Sequence, residues 1–212
     1  MNRRLWTMAL ASGLGLGSLL APVAAFADSE TPDALVKRIS SDVLDTIKSD
    51  PSLRGGDMSK INALVNDKVM PFVNFRRMTS AAVGPAWRKA TEPQRERLLK
   101  EFNSLLVRTY AGALSQVSDQ TITVKPLRAA AGDTDVLVRT EVHGKGDPVQ
   151  LDFRLEKDAN GWKIDNFNVL GVWLVETYRN QFAEEINKNG IDGLIQTLAS
   201  RSSMPADVPA KK

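Results

Sequence analysis

Through the first half of the chain, apolar residues recur three and four positions apart, the spacing that lines one face of a helix. Leu35, Val36, Ile39, Val43, Leu44 and Ile47 predict a helix over 31–49, with Pro32 suited to its first turn. Asp50-Pro51 and Gly55-Gly56 then predict a loop. A second helix is expected over 59–70, broken by Pro71, and a short third one after Asn74, with Met78, Ala81 and Ala82 inward until Gly84-Pro85. The longest helix follows. Thr91 caps it, Glu92 and Pro93 suit its first turn, and Leu98, Leu99, Phe102, Leu105, Leu106, Tyr110, Leu114 and Val117 form a wide apolar stripe.

After Ser118 the period falls to two. Segments 121–124, 136–142, 149–156 and 162–169 predict four strands, and the turn-rich breaks between them make these antiparallel neighbours in a meander. Gly171 stands between the last strand and a helix carrying Val175, Tyr178, Phe182 and Ile186, closed by Gly190, and a final short helix carries Ile191, Leu194, Ile195 and Leu198. Segment 201–212 has no periodicity and is expected to be disordered. Helices, a meander and helices again predict an α+β domain. The long helix and the helix after Gly171 are the expected cover of a curled four-stranded sheet, an NTF2-like cone either filled by side chains or open around an apolar cavity.

Composition changes this picture at the N-terminus. Arg3 and Arg4, the apolar run over 5–20 and Ala25-Phe26-Ala27 make 1–27 a signal peptide, leaving one domain over 28–200. No cysteine is present, so neither a lipid anchor at the cleavage site nor a disulfide is expected. The formal charge of +3 loses two positive charges with that segment. A nearly neutral domain lacks the concentrated Lys/Arg that nucleic acid requires.

Candidate chemistry is sparse. The single histidine, His143, is expected to be solvated at a strand end, and one His without Cys leaves no transition-metal cluster. Gly13, Gly15 and Gly17 fall within the signal peptide and make no phosphate loop. Asp135, Asp152 and Asp165 alternate with apolar residues, which predicts an outer face where they are solvated or paired, although a buried Asp with a Tyr could run proton transfer. The residues alone leave open an apolar-ligand carrier, a small-molecule enzyme on an NTF2-like scaffold, and a protein-binding adaptor with a filled core.

The run PFVNFRRMTSAAVGPAWRKATEPQRERLLKEFNSLLVRTYAGAL, with NVLGVWLVETYRNQF and NGIDGLIQTL later, resembles the MlaC family of periplasmic phospholipid-binding proteins, also called the toluene-tolerance family. The resemblance spans the mature chain and is most specific at Gly84-x-x-Trp87, along the helix from Gln94 to Tyr110, and from Gly171 to Phe182. It implies a soluble, monomeric carrier that moves phospholipid between the two membranes of a diderm bacterium and maintains outer-membrane asymmetry, without covalent chemistry, cofactor or metal. The implied partners are an inner-membrane ABC transporter with a periplasmic lipid-binding ring and an outer-membrane lipoprotein associated with a porin. Acyl chains would lie between sheet and helices, which makes Leu98, Leu99, Phe102, Leu105, Leu106, Tyr110, Val138, Phe153, Phe167, Val169, Val172, Trp173 and Val175 the expected lining. Arg76, Arg77, Arg88 and Arg179 are the expected contacts for headgroup or partners. Each buried CH₂ contributes roughly 0.8 kcal/mol, so the tails need a cavity near or above the top of the usual ~300–1,000 Å³ range. Gly171 is the candidate hinge for opening it.

Overall fold

The computed structural model describes residues 30–130 and 132–203; the expected signal peptide and segment 204–212 lie outside them. Local capping sets most helix starts. Helix α1 (Pro32–Ser49) begins with Pro32 in its first turn after Thr31. Asp50 accepts a hydrogen bond from the Ser52 N–H and starts a one-turn helix, α2 (Pro51–Arg54), where the sequence suggested only loop. Asp57 does the same for α3 (Met58–Lys68), accepting from Ser59 and Lys60. A 3₁₀ turn over Met70–Phe72 accommodates Pro71. Asn74 then caps α4 (Phe75–Val83), which stops at Gly84 with φ of 68°. After the short α5 (Ala86–Lys89), Thr91 and Gln94 form a reciprocal capping box at the head of α6 (Glu92–Ser115). Helix α7 (Leu174–Ser203) is bent at Gly190, whose φ of 71° is left-handed, so the two expected helices are its two limbs. It runs to Ser203, so residues 201–203 of the expected disordered tail are helical.

Among the described residues the expected four strands are six: β1 (Thr121–Val124), β2 (Asp135–Val138), β3 (Thr140–His143), β4 (Val149–Asp158), β5 (Gly161–Val169) and β6 (Val172–Trp173). All pair antiparallel, in the order β1-β3-β4-β5-β6, with β2 also on β4. The expected strand over 136–142 is cut at Arg139 because the Thr140 N–H leaves the ladder and donates to the Asp152 carboxylate at 3.1 Å. The Thr140 hydroxyl donates to the Leu151 carbonyl. Thus Val138 pairs with Phe153, while Val142 pairs with Val149 and turns β3 toward β1. The sheet has two free ends and is open, neither closed nor strongly curled, which corrects the expected cone.

Its apolar face carries Val136, Val138, Leu151, Phe153, Leu155, Ile164, Phe167 and Val169. Strict alternation from Val169 and Phe167 would put Asp165 on this face. A β-bulge prevents that: Arg154 pairs with Asn166 and Leu155 with Ile164, leaving Asp165 as the extra residue. The cover also differs from expectation. Leu35, Val36 and Ile39 of α1 pack on this face, whereas the α6 stripe packs chiefly against α7, which itself meets β5, with α3 and α4 beside it. Gly171 is not at a strand-to-helix junction either. With Leu170 it forms the two-residue turn between β5 and β6, both residues having positive φ.

Candidate functional site

Among the described residues the apolar interior is divided into three clusters. Phe102 centres the first, its ring 5.0 Å from Tyr178, 5.1 Å from Phe182 and 5.7 Å from Phe75, with Met78, Leu98, Leu105 and Val175 around them. The second joins α1 to Val136, Val138, Phe153, Leu155 and Ile164 of the sheet. The third holds Ile47, Leu53, Ile61, Leu64, Val107, Ala111 and Val117. Along the margins of these clusters lie apolar side chains that are only half buried, among them Met70, Val73, Leu99, Leu106, Tyr110, Phe167 and Val169 around the first. Val73 and Phe167 touch the first and second clusters, and Val43 the second and third. Burial pushes the Tyr110 hydroxyl up to about 12, so it is neutral across the physiological range.

An open groove of about 530 Å³ lies between the 3₁₀ turn, the start of α4 and α6, with Met70, Val73, Phe75 and Leu99 on its apolar side and Arg76, Glu96 and Lys100 on its rim. That volume is mid-range for a ligand site and smaller than the cavity expected for a whole phospholipid. A second groove, about 220 Å³, is polar and lies between α4, the sheet and α7. There the Arg77 Nε donates to Asp165 at 3.1 Å and its Nη1 pairs with Glu156 at 2.9 Å. Asn166 donates to Glu176 at 2.8 Å and accepts from the Val175 N–H, fastening the start of α7 to β5.

The predicted lining therefore separates into groups. Leu98, Phe102, Leu105, Val138, Phe153 and Val175 are buried within clusters; Leu99, Leu106, Tyr110, Phe167 and Val169 are half buried at their margins. Trp173 is half buried under Arg154, whose guanidinium lies 4.8 Å from the ring centroid, and Val172 is exposed. The four arginines do not form one cluster. Arg76 borders the apolar groove, held by Glu92 and Glu96, whereas Arg77 and Arg179 border the polar one, with Arg179 donating to the Ala81 carbonyl. Arg88 lines neither.

Two of the three aspartates are buried and not solvated, Asp165 being paired with Arg77. Asp152 is 3% exposed and Asp165 9%, because Asp152 bridges the break between β2 and β3 and Asp165 sits in the bulge; Asp135 is exposed as expected. Burial pushes the Asp165 carboxyl up, against the opposing pull of Arg77. His143 is half buried, 3.5 Å from Glu141. Among the described residues no cluster of His, Cys, Asp or Glu could hold a metal ion, and no helix is long and apolar enough to cross a membrane. Apolar spacing does not point to Met70 and Val73, which stand in and just after a 3₁₀ turn without periodicity, nor to Asn166. The density of amides in β5 was the available signal for Asn166.

The MlaC protein family profile matches residues 37–200. The intermembrane phospholipid transport system binding protein MlaC of Haemophilus influenzae is 24% identical over 180 residues, covering 82% of this chain and 84% of that one. Toluene tolerance protein ttg2D of Pseudomonas putida is 26% identical over 190 residues, covering 86% and 88%. A solved structure of the phospholipid-binding protein from Ralstonia solanacearum, in complex with a phospholipid, is 50% identical with a TM-score of 0.79, covering 81% of this chain and 96% of that one.

Proposed function

Because the chain belongs to the MlaC family, we propose that it is a periplasmic phospholipid carrier working between the inner and outer membranes, without a covalent step. The observation that carries this reading is the 50% identity over nearly the whole of a protein solved with phospholipid bound. The divided core supports it. Acyl chains would lie against the half-buried Leu99, Leu106, Tyr110, Phe167 and Val169, while the enclosed Leu98, Phe102, Leu105, Val138, Phe153 and Val175 hold these walls in place. The apolar groove is too small for two tails, so the clusters part as the chains enter.

The headgroup stays near solvent at the groove rim by Arg76, and Arg77, Arg88 and Arg179 serve membrane-bound partners. Those partners are an ABC transporter bearing a periplasmic lipid-binding ring and an outer-membrane lipoprotein associated with a porin. Handing over cargo to them is physically required, since burial of two long chains would otherwise give a complex too stable to release on its own. Mass spectrometry of an organic extract of the purified protein is the test. Stoichiometric glycerophospholipid is expected, and an extract free of lipid from protein with a close-packed interior would favour the adaptor instead.

A further inference from the structure

Among the described residues the exposed large hydrophobics are three, Leu170 at 66%, Val172 at 50% and Val149 at 39%, and all three stand at one corner of the sheet. Val172 pairs with Val169 across β6 and β5, and Val169 pairs with Leu151 across β5 and β4. Directly paired residues share a face, as do residues two apart on a strand. Val149 and Val172 thus continue the apolar face that carries Leu151, Phe167 and Val169, out past the edge of the protein's own cover. Leu170 stands at the tip of the adjoining turn, its N–H donating to the Gln150 carbonyl at 3.0 Å.

Leu170 is in the wrong conformation for its type. It has φ of 54°, the one positive value at a non-glycine position among the described residues. A two-residue hairpin turn with positive φ at both positions favours Asn-Gly, because Asn tolerates the left-handed region and a γ-branched apolar residue does not. The side chain recovers little from the fold, being two-thirds exposed. A strained and solvated leucine is a cost without an internal return, and strain of this kind gathers where a surface is used.

We propose that this corner, Val149, Leu170 and Val172, is a lip that dips into the hydrocarbon boundary of a phospholipid bilayer and joins it to the apolar interior. The assignment rests on the reading of the protein as a phospholipid carrier. Size selects the occupant: three side chains on a turn fall far short of the ~800 Å² per partner of a standard protein interface. Insertion of a few apolar groups at the lipid boundary has no such requirement. Continuity selects it too, since an acyl chain leaving a bilayer at this corner meets apolar side chains from Val172 through Val169 to Leu151 without crossing a polar strip.

The chain has no cysteine, so Leu170→Cys can carry a single environment-sensitive fluorophore, with exposed Lys188→Cys on α7 as the reference position. Vesicles of phosphatidylethanolamine and phosphatidylglycerol are expected to shift the emission to the blue at position 170 and leave it unchanged at 188. Leu170→Asn, which suits the turn, is expected to keep the lipid content of the purified wild type and to slow lipid transfer between the same vesicles by roughly tenfold, as the loss of one inserted leucine implies. No shift at 170, or transfer by Leu170→Asn at the wild-type rate, overturns the lip. A shift that requires membrane proteins in the vesicles also overturns it, in favour of a protein partner. Failure of the carrier reading is seen separately, as wild-type protein without phospholipid.

Discussion

Asp165 occupies the place where β5 carries one residue too many, and its carboxylate is buried there between Arg77 and the sheet. Burial holds its pKa above the ordinary value, although Arg77 and, more weakly, Arg154 work against the shift and Asp135 adds to it. The folded protein therefore binds this proton more tightly than the unfolded chain does. Stability falls as pH rises from the ordinary carboxylate value, about 4, through the raised one, and the cost remains at neutral pH. Asp165→Asn is uncharged in both states. The melting temperature of the wild type relative to this variant is expected to decline as pH is raised across that window and then level off, as measured on both proteins over one pH series. A constant difference would mean that Asp165 titrates alike folded and unfolded.

At the scale of the element, the stripe of α6 divides in two. Leu98, Phe102 and Leu105 are enclosed by α4 and α7, whereas Leu99, Leu106 and Tyr110 lie half buried along the same helix. Leu106→Glu is expected to retain the circular dichroism of the wild type and to lose bound phospholipid, because an unpaired carboxylate against an acyl chain costs a few kcal/mol. A natively folded variant that still co-purified with lipid would move the wall away from α6. Much of the helical architecture was legible in the chain because its signals are local: Thr91 with Gln94, Asn74 before α4, Pro32 in α1 and Gly190 in α7. The break between β2 and β3 was not legible, since it is made by the side chain of Asp152, twelve residues from Thr140. Nor could spacing say that α1, rather than α6, covers the sheet, because both helices carry an apolar stripe and only packing assigns them. The residues expected to line the cavity divide into buried and half-buried side chains, a division that a periodic pattern does not carry.

Across the described residues as a whole, three apolar clusters carry half-buried side chains along their margins. Cargo that fills the space beside them binds the folded state and not the unfolded chain, so it stabilises by mass action. Removing the lipid is expected to lower the melting temperature by roughly 5–10 °C, the effect of ligand at a hundredfold over its dissociation constant on a domain of this size. Calorimetry of native, delipidated and reloaded protein checks it, and identical melting of all three would show that cargo and core are independent. The division of the core also affects what the walls can become. A protein interior is a solid in which each side chain must fit its neighbours, but an alkyl chain is a flexible filler that adjusts its own bends to the room it is given. Residues touching such a filler are released from jigsaw fit, so in the proposed lining Leu99, Leu106 and Val169 would exchange for other apolar sizes where Phe102 would not, and one pocket would accept tails that differ in length and unsaturation.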